Sequence, residues 1–501
     1  MAFLGIDLGT TMLKLLLMDE EGKVLYTLTR EYPIYYPRSG WAEQNPREWW
    51  EAAGAGIREL FMKAGLSPES VRAIGLSGQM HGLVLLDEHN KVLMPALLWC
   101  DQRTRAESDW INETVGFEHL KEWTGNKSFT GFTASKLLWV KAEQPEIYEK
   151  IRHILLPKDY IRLQLTGEYA TDMSDASGTL LFDVAKREWS VDMLEKLGID
   201  KAWLPRCYES TAVTGKLSLK AAAVTGLRAG TPVVGGAGDQ ECGAVANGAV
   251  VPGILSVALG NSGVVFACQD RYAADPELRL HSFCAANGKW HVMGVMLSAV
   301  SCIKWWSDNI CRCKSIDEYE DLLGEAEVIA PGSGGVLFLP YLLGERTPHS
   351  DPHARGSFVG LDMTHHRGHM TRAIMEGVCF GLKDSLDIIR QLQIPVTAVR
   401  VSGGSGRSML WRRILADVFS LPVDVTTVRE GPAYGAAMLA AVGAQAFDDV
   451  TQACQALVGV VERVEPDKES GQNYLMMHEL YKGLYPTLRE NFAAKAKVFG
   501  G

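Results

Sequence analysis

The sequence predicts an α/β protein built from two similar halves, and three observations carry that prediction. The chain opens with apolar runs at residues 3–7 and 13–18 around Gly9-Thr10-Thr11, the spacing of two strands joined by a tight hairpin. Residues 23–32 offer a third strand. Next, Pro46–Ala64 carries Trp49, Trp50, Ile57 and Phe61 at helical spacing, and residues 71–76 form a β-rich run ending at Ser77-Gly78. Finally, a glycine-rich segment at 235–263 divides the chain almost in half, and a similar order of elements follows it. An α/β sheet with an antiparallel edge is the arrangement such a mixture implies.

In the second half the strands fall at 254–259, 264–268 and 290–295, with helical stretches near 298–310 and 366–393. Residues 399–401 lead into the turn Ser402-Gly403-Gly404-Ser405-Gly406. A helix at 408–420, a strand at 423–428 and an apolar helix at 432–446 follow. The 501 residues exceed what one hydrophobic core sustains. Two domains are expected, 1–247 and 248–501.

Composition narrows the function. Hydrophobic residues make up 47% and charged residues 22%, enough to fold throughout. Fifty Lys and Arg against 60 Asp and Glu leave a net charge of −10, with no basic footprint for nucleic acid or an anionic membrane. A small polar substrate fits better. Ten cysteines lack a framework spacing, as expected of reduced thiols in a cytoplasmic protein. The N-terminus has no basic region before Asp7, so no secretory signal is expected. Residues 242–269 carry no charge, but Gly243, Gly248, Pro252, Gly253, Gly260 and Gly263 read as turns between buried strands. A soluble protein is expected.

Asp7-Leu8-Gly9-Thr10-Thr11, with Lys14 beyond it, suits a phosphate-holding hairpin. Glycine admits close approach, the hydroxyls and N–H groups donate to phosphate oxygens, and Asp7 can hold hydrated Mg2+. An ordinary hairpin with locally satisfied side chains is the alternative. Gly235-Gly236-Ala237-Gly238-Asp239-Gln240 follows the strand Pro232–Val234, and a carboxylate there can accept a proton from a substrate hydroxyl. A glycine-rich hinge with a solvated Asp239 is the alternative. The dinucleotide fingerprint fails where Asp239, Gln240 and Glu241 replace its third glycine, and no Gly-Lys pair is followed by Ser or Thr as a Walker loop requires. Further turns at Gly260-Asn261-Ser262-Gly263, at 402–407 and at Gly431 each follow an apolar strand. Ser77-Gly78-Gln79-Met80-His81-Gly82 sits at a strand end, where open α/β sheets bind ligands. His81 and Gln79 there can hydrogen-bond a polyol, or His81 can simply pack. Trp99-Cys100-Asp101-Gln102-Arg103 adds an aromatic face and a charge pair there, or is simply a surface ion pair beside a core Trp. The His365-His366-x-x-His369 spacing lacks a companion carboxylate or Cys and is not expected to bind metal.

These residues resemble the FGGY carbohydrate kinases of the actin-like ATPase superfamily. The resemblance runs from GIDLGTT (5–11) through SGQMHG (77–82), GFTASKLLWV (131–140), LLPKDYIRLQLTGEYATDMSDASGT (155–179), HSFC (281–284), FLPYLLGERTPH (338–349) and WRRILAD (411–417) to GPAYGAAMLA (431–440). It implies two actin-like (ribonuclease H-like) lobes around a central cleft, with sugar and catalytic base in the first lobe and nucleotide in the second. Asp239 is implied as general base, Asp7 and Asp239 as Mg2+ holders, and Met80, His81 and Gln240 as sugar-binding residues. Thr10, Thr11, Lys14, Gly260, Asn261, Gly403 and Gly404 are implied to bind ATP. Asn261 stands where the family usually has Thr, and its amide can donate to the same phosphate.

Glycerol kinases of this family are expected to carry Arg-Glu in place of Met80-His81, so the resemblance favours a pentulose. The implied reaction is phosphorylation of D-xylulose at its C5 hydroxyl by MgATP, with ribulose, fuculose, erythritol and 1-deoxy-xylulose as alternative acceptors. An actin-like ATPase without sugar and an NAD-linked dehydrogenase fit the motifs less well. Proteins of this kind are often dimers, so a homodimer is the implied assembly.

Overall fold

The computed structural model describes residues 1–499. Its first sheet centres on Ala2–Leu8. Met12–Asp19 and Val24–Glu31 extend the sheet antiparallel on one side, and Val71–Gly78 pairs parallel on the other, followed by Pro232–Val234 and Val213–Lys216. The short strand Ala237–Gly238 also pairs with Val71–Gly78. The second sheet repeats this plan around Gly253–Leu259. Gly263–Gln269 and Trp290–Met296 continue antiparallel to His281–Cys284, and Val396–Ser402 and Val423–Thr426 lie parallel on the other side before Val460–Val464 closes the edge. Each half therefore sends its central strand into a hairpin at one end.

Local sequence explains the best-defined elements. Asn45 accepts from the Arg47 N–H, Pro46 occupies the first turn, and Gly65 at φ 65° ends Pro46–Ala64. Trp49, Ala53, Ile57, Leu60 and Phe61 form its buried stripe against the first sheet. The expected helix near 298–310 is Val300–Trp305 continued by a π-helical turn, Trp306–Cys311. His366 caps Arg367–Gln391 by accepting from the Gly368 N–H, and His369 approaches the His366 N–H in return. Those histidines are occupied with helix capping.

Helix Pro432–Gly443 comes late in the chain yet packs against the first half, joining Phe3, Leu16, Ala73, Val234, Cys242 and Val245 in one apolar cluster. Its small side chains permit unusual closeness. A Cβ on Gly5 would lie 1.9 Å from the Ala433 carbonyl oxygen, one on Gly75 1.8 Å from that of Ala436, and one on Gly435 1.9 Å from that of Cys242. Among the described residues, no helix is long and apolar enough to cross a membrane.

Candidate active site

The parallel pairing of Ala237–Gly238 with Ser77 and Gly78 brings the two halves of the first lobe's chemistry together. It sets Asp239, in the first turn of the helix Asp239–Ala246, beside the loop at 79–82. Met80 packs directly on Gly238, where a Cβ would be 2.8 Å from the Met80 sulfur. Asp7 occupies the end of the central strand, in register with Ser77 on one side and Lys14 on the other. Ser77 Oγ donates to its carboxylate at 2.8 Å.

Burial pushes the Asp7 carboxyl up to about 6, against the Ser77 hydrogen bond and the Lys14 charge. Burial likewise pushes Asp239 up to about 7, reinforced by the charge of Asp7 and opposed by hydrogen bonds from Gln240. A carboxylate poised near neutrality is matched to proton acceptance at physiological pH.

His81 has a left-handed backbone, φ 65°, which a non-glycine residue keeps only when its surroundings hold it. Here the restraints are explicit. Its carbonyl accepts from Thr133 Oγ1 at 3.1 Å and from Lys136 Nζ at 2.8 Å, and Nδ1 lies 2.6 Å from the Gly178 carbonyl oxygen. The ring rests on Phe132, 4.6 Å between centroids. Burial drives its pKa down to about 3, so the imidazole is neutral. A neutral ring facing a carbonyl through Nδ1 carries its proton there, which leaves Nε2 as an acceptor for a hydroxyl.

A buried ion cluster supports the loop that carries Asp239. Lys158 Nζ contacts Asp159, Asp172 and Asp175 at 2.9, 2.7 and 3.0 Å. Arg162 donates to the Val234 carbonyl at 2.6 Å and to that of Gly235. Ser174, bonded to Asp172, accepts from the Gly238 N–H at 3.2 Å. Burial pushes the Asp175 carboxyl up to about 8, aided by the charges of Asp172 and Asp159 and opposed by Lys158. Charged residues such as those of the segment 155–179 read as surface in a sequence, and only the fold shows these ones inside.

On the phosphate side, Thr10 accepts from Trp99 Nε1 at 2.9 Å through its hydroxyl and from Gln44 Nε2 at 2.7 Å through its carbonyl, while Thr11 is exposed. Lys14 is bound to Glu430, through both the carboxylate and the carbonyl oxygen at 3.0 Å. In the second half, Gly260 and Asn261 form the hairpin turn after Gly253–Leu259, and the Asn261 carbonyl accepts from the Ala299 N–H and Ser301 Oγ at 2.8 Å. The Asn261 side chain has no hydrogen-bond partner among the described residues. Gly403, at φ 90°, lies against that same strand, since a Cβ there would be 2.4 Å from the Leu259 carbonyl oxygen. Gly404 beside it is open.

The charge pair near Trp99 is buried, not at the surface. Arg103 grips Asp101 and Glu43 at 2.8 and 2.7 Å, and Trp41 covers its guanidinium at 3.6 Å. Lys136 and Thr133 are site-shaping residues that sequence reasoning missed, because their roles depend on contacts between distant segments.

Residues 2–246 match the FGGY family of carbohydrate kinases, N-terminal domain, and residues 255–444 match its C-terminal domain. The chain is 39% identical over 488 residues to the xylulose kinase of Escherichia coli (strain K12), covering 97% of this chain and 99% of that one. It is 37% identical over 497 residues to the xylulose kinase of Bacillus subtilis (strain 168), covering 98% of each. Among solved structures, the xylulose kinase from Rhodospirillum rubrum superposes with a TM-score of 0.91 at 30% identity, covering 98% of this chain and 100% of that one. The xylulose kinase from Lactobacillus acidophilus gives a TM-score of 0.93 at 25% identity, covering 98% and 99%.

Proposed function

This chain belongs to the FGGY family of carbohydrate kinases, and on that footing we propose that it transfers the γ-phosphoryl group of ATP to the C5 hydroxyl of D-xylulose, with Asp239 as general base. The observation that carries the assignment of roles is the contact of Met80 with Gly238, which makes the sugar loop and the carboxylate contiguous. Met80 supplies an apolar wall, His81 Nε2 accepts from a sugar hydroxyl, and Gln240 donates to sugar oxygens beside the base. Asp239 orients the C5 hydroxyl and accepts its proton late in the transfer, as the bond from that oxygen to the γ-phosphorus forms and the bond to ADP breaks. The proton then passes to solvent.

Thr10, Thr11 and backbone donors of the first hairpin, with Gly260 and Asn261 opposite, hold phosphate oxygens, and Gly403 and Gly404 leave room for the adenosine. Lys14 reaches the phosphates by exchanging Glu430 for them. Asp7 and Asp239 suit Mg2+, since two adjacent carboxylates whose burial disfavours their charge match an ion that takes few protein ligands and keeps water and phosphate as the rest. Bound there, the ion would neutralise charge on the phosphates. The segments 1–247 and 248–501, the second lending helix Pro432–Gly443 to the first sheet, act as two lobes whose closure keeps water from the γ-phosphate. A cytoplasmic enzyme, as a homodimer, completes the reading.

A coupled ADP-release assay with a panel of ketopentoses and polyols tests the substrate. D-xylulose should give the highest kcat/KM, and equal turnover of glycerol contradicts the role given to Met80 and His81. Asp239→Ala should abolish phosphorylation while ATP binding persists; near-normal turnover removes Asp239 as base.

A further inference from the structure

One cation beside the His81 loop has no hydrogen-bond or ion-pair partner among the described residues. Arg346 belongs to the second half, in a loop fixed to strand Trp290–Met296. There the Thr347 N–H donates to the Val295 carbonyl at 3.0 Å, the Thr347 hydroxyl accepts from the Val295 N–H at 3.1 Å, and Glu345 accepts from the Leu297 N–H at 3.1 Å. From this anchored loop the Arg346 side chain crosses to the first half. Its guanidinium lies 5.1 Å from the Phe129 ring centroid, and Nη2 is 3.7 Å from where a Cβ on Gly131 would sit. Gly131 is the residue whose carbonyl shares the Lys136 ammonium with the His81 carbonyl, both at 2.8 Å. Phe129 in turn packs on Phe132, the ring beneath His81.

Among the described residues the Arg346 guanidinium makes no hydrogen bond and no ion pair. Of its neighbours, Lys136 is cationic and His81 and His281 are held neutral by burial, while the Glu345 carboxyl, which does act on it, is pushed by burial up to about 8 and accepts from the Leu297 and Arg346 backbone N–H groups instead of from the guanidinium. A half-buried guanidinium without an acceptor is costly unless a ligand supplies one. The absence of side chain at Gly131 keeps the approach to it clear.

We propose that Arg346 binds the carbonyl end of the ketose, donating its paired N–H groups to the C2 carbonyl oxygen and the neighbouring C1 hydroxyl. The inference rests on the sugar-kinase reading above and adds a specificity residue to it. A guanidinium only donates and a carbonyl only accepts, so the two match in a way that a polyol hydroxyl does not require. The planar fork also fits two oxygens on adjacent carbons, which a lysine cannot reproduce. Because Arg346 comes from one half and His81 from the other, the sugar bridges both.

The test compares wild type with Arg346→Ala and Arg346→Lys for D-xylulose, for xylitol, in which the carbonyl is reduced, and for ATP. Arg346→Ala should raise the KM for xylulose roughly 10–100-fold, the loss expected for charge-assisted hydrogen bonds. The KM for ATP and the melting temperature should stay near wild type, Arg346→Lys should recover only part of the loss, and the handicap on xylitol should be smaller. An unchanged KM for xylulose, or a larger rise in the KM for ATP than for the sugar, overturns the proposal. If the wild type phosphorylates no ketopentose, the sugar-kinase assignment fails first. The same variants are then compared on whichever sugar it does phosphorylate, and an unaltered KM for that sugar overturns the role of Arg346.

Discussion

The Lys136 ammonium donates to the His81 carbonyl over 2.8 Å, joining residues 55 apart in sequence at a residue with a left-handed backbone. A second bond, to Gly131, fixes the ammonium itself. Lys136→Met should therefore let His81 relax out of its left-handed conformation. The expected result is a KM for sugar raised about 10-fold, in line with the loss of one buried hydrogen bond to a charged group, with the KM for ATP unchanged. Steady-state kinetics with each substrate varied separately would show this, and an unaltered sugar KM would remove Lys136 from the positioning of His81.

The carboxyl of Asp239 makes stability depend on pH. Its ordinary value is 3.8, and in the folded protein it stands at about 7. The folded state thus binds more protons between those values, and this group's contribution to stability falls as pH rises through that window. Asp239→Asn carries no such charge. Without Mg2+ and nucleotide, its melting temperature should match wild type near pH 4 and exceed it by a few degrees at pH 8. That gap corresponds to about 1–2 kcal/mol after allowance for solvent in the cleft. A constant difference across the range counts against the repulsive environment described for Asp239.

Release of Lys14 from Glu430 should strengthen nucleotide binding. Both side chains are partly exposed, so the pair contributes at most about 1 kcal/mol. Glu430→Gln is expected to lower the KM for ATP two- to fivefold and leave sugar binding alone. A raised KM for ATP would mean that Glu430 serves the nucleotide directly.

Gly75 has no room for a methyl group, since the Ala436 carbonyl oxygen would stand 1.8 Å from it. Gly75→Ala should destabilise the protein by more than about 3 kcal/mol, beyond the usual effect of overpacking, because backbone rather than a side chain must move. Chemical denaturation measures this. A loss below 1 kcal/mol would show that the helix can shift away freely.

Much of the architecture could be read from local signals. Asn45, Pro46 and Gly65 mark one helix to the residue, and the glycine and threonines at 9–11 mark the hairpin beside Asp7. The same holds for the strand ends that carry Asp7, Ser77 and Asp239, because alternation and turn residues act over a few positions. What escaped were relationships between distant segments. The Lys158 cluster looks like solvated charge until three helices and strands enclose it, and Arg346 gives no sign in sequence that it reaches Phe129. The residues 432–443 read as an apolar helix, yet nothing in their spacing names the first sheet as their partner.

That partnership has a consequence for synthesis. The face of the first sheet that holds Gly5 and Gly75 is complete as sequence by residue 247, but its cover ends at Gly443. At ~5–20 residues per second the ribosome needs on the order of 10–40 s to make the intervening chain. During that interval an apolar surface waits unpaired, and a fragment terminated near 247 would keep it exposed for good. Synthesis of residues 432–443 thus sets how long that face of the first half stays open to association.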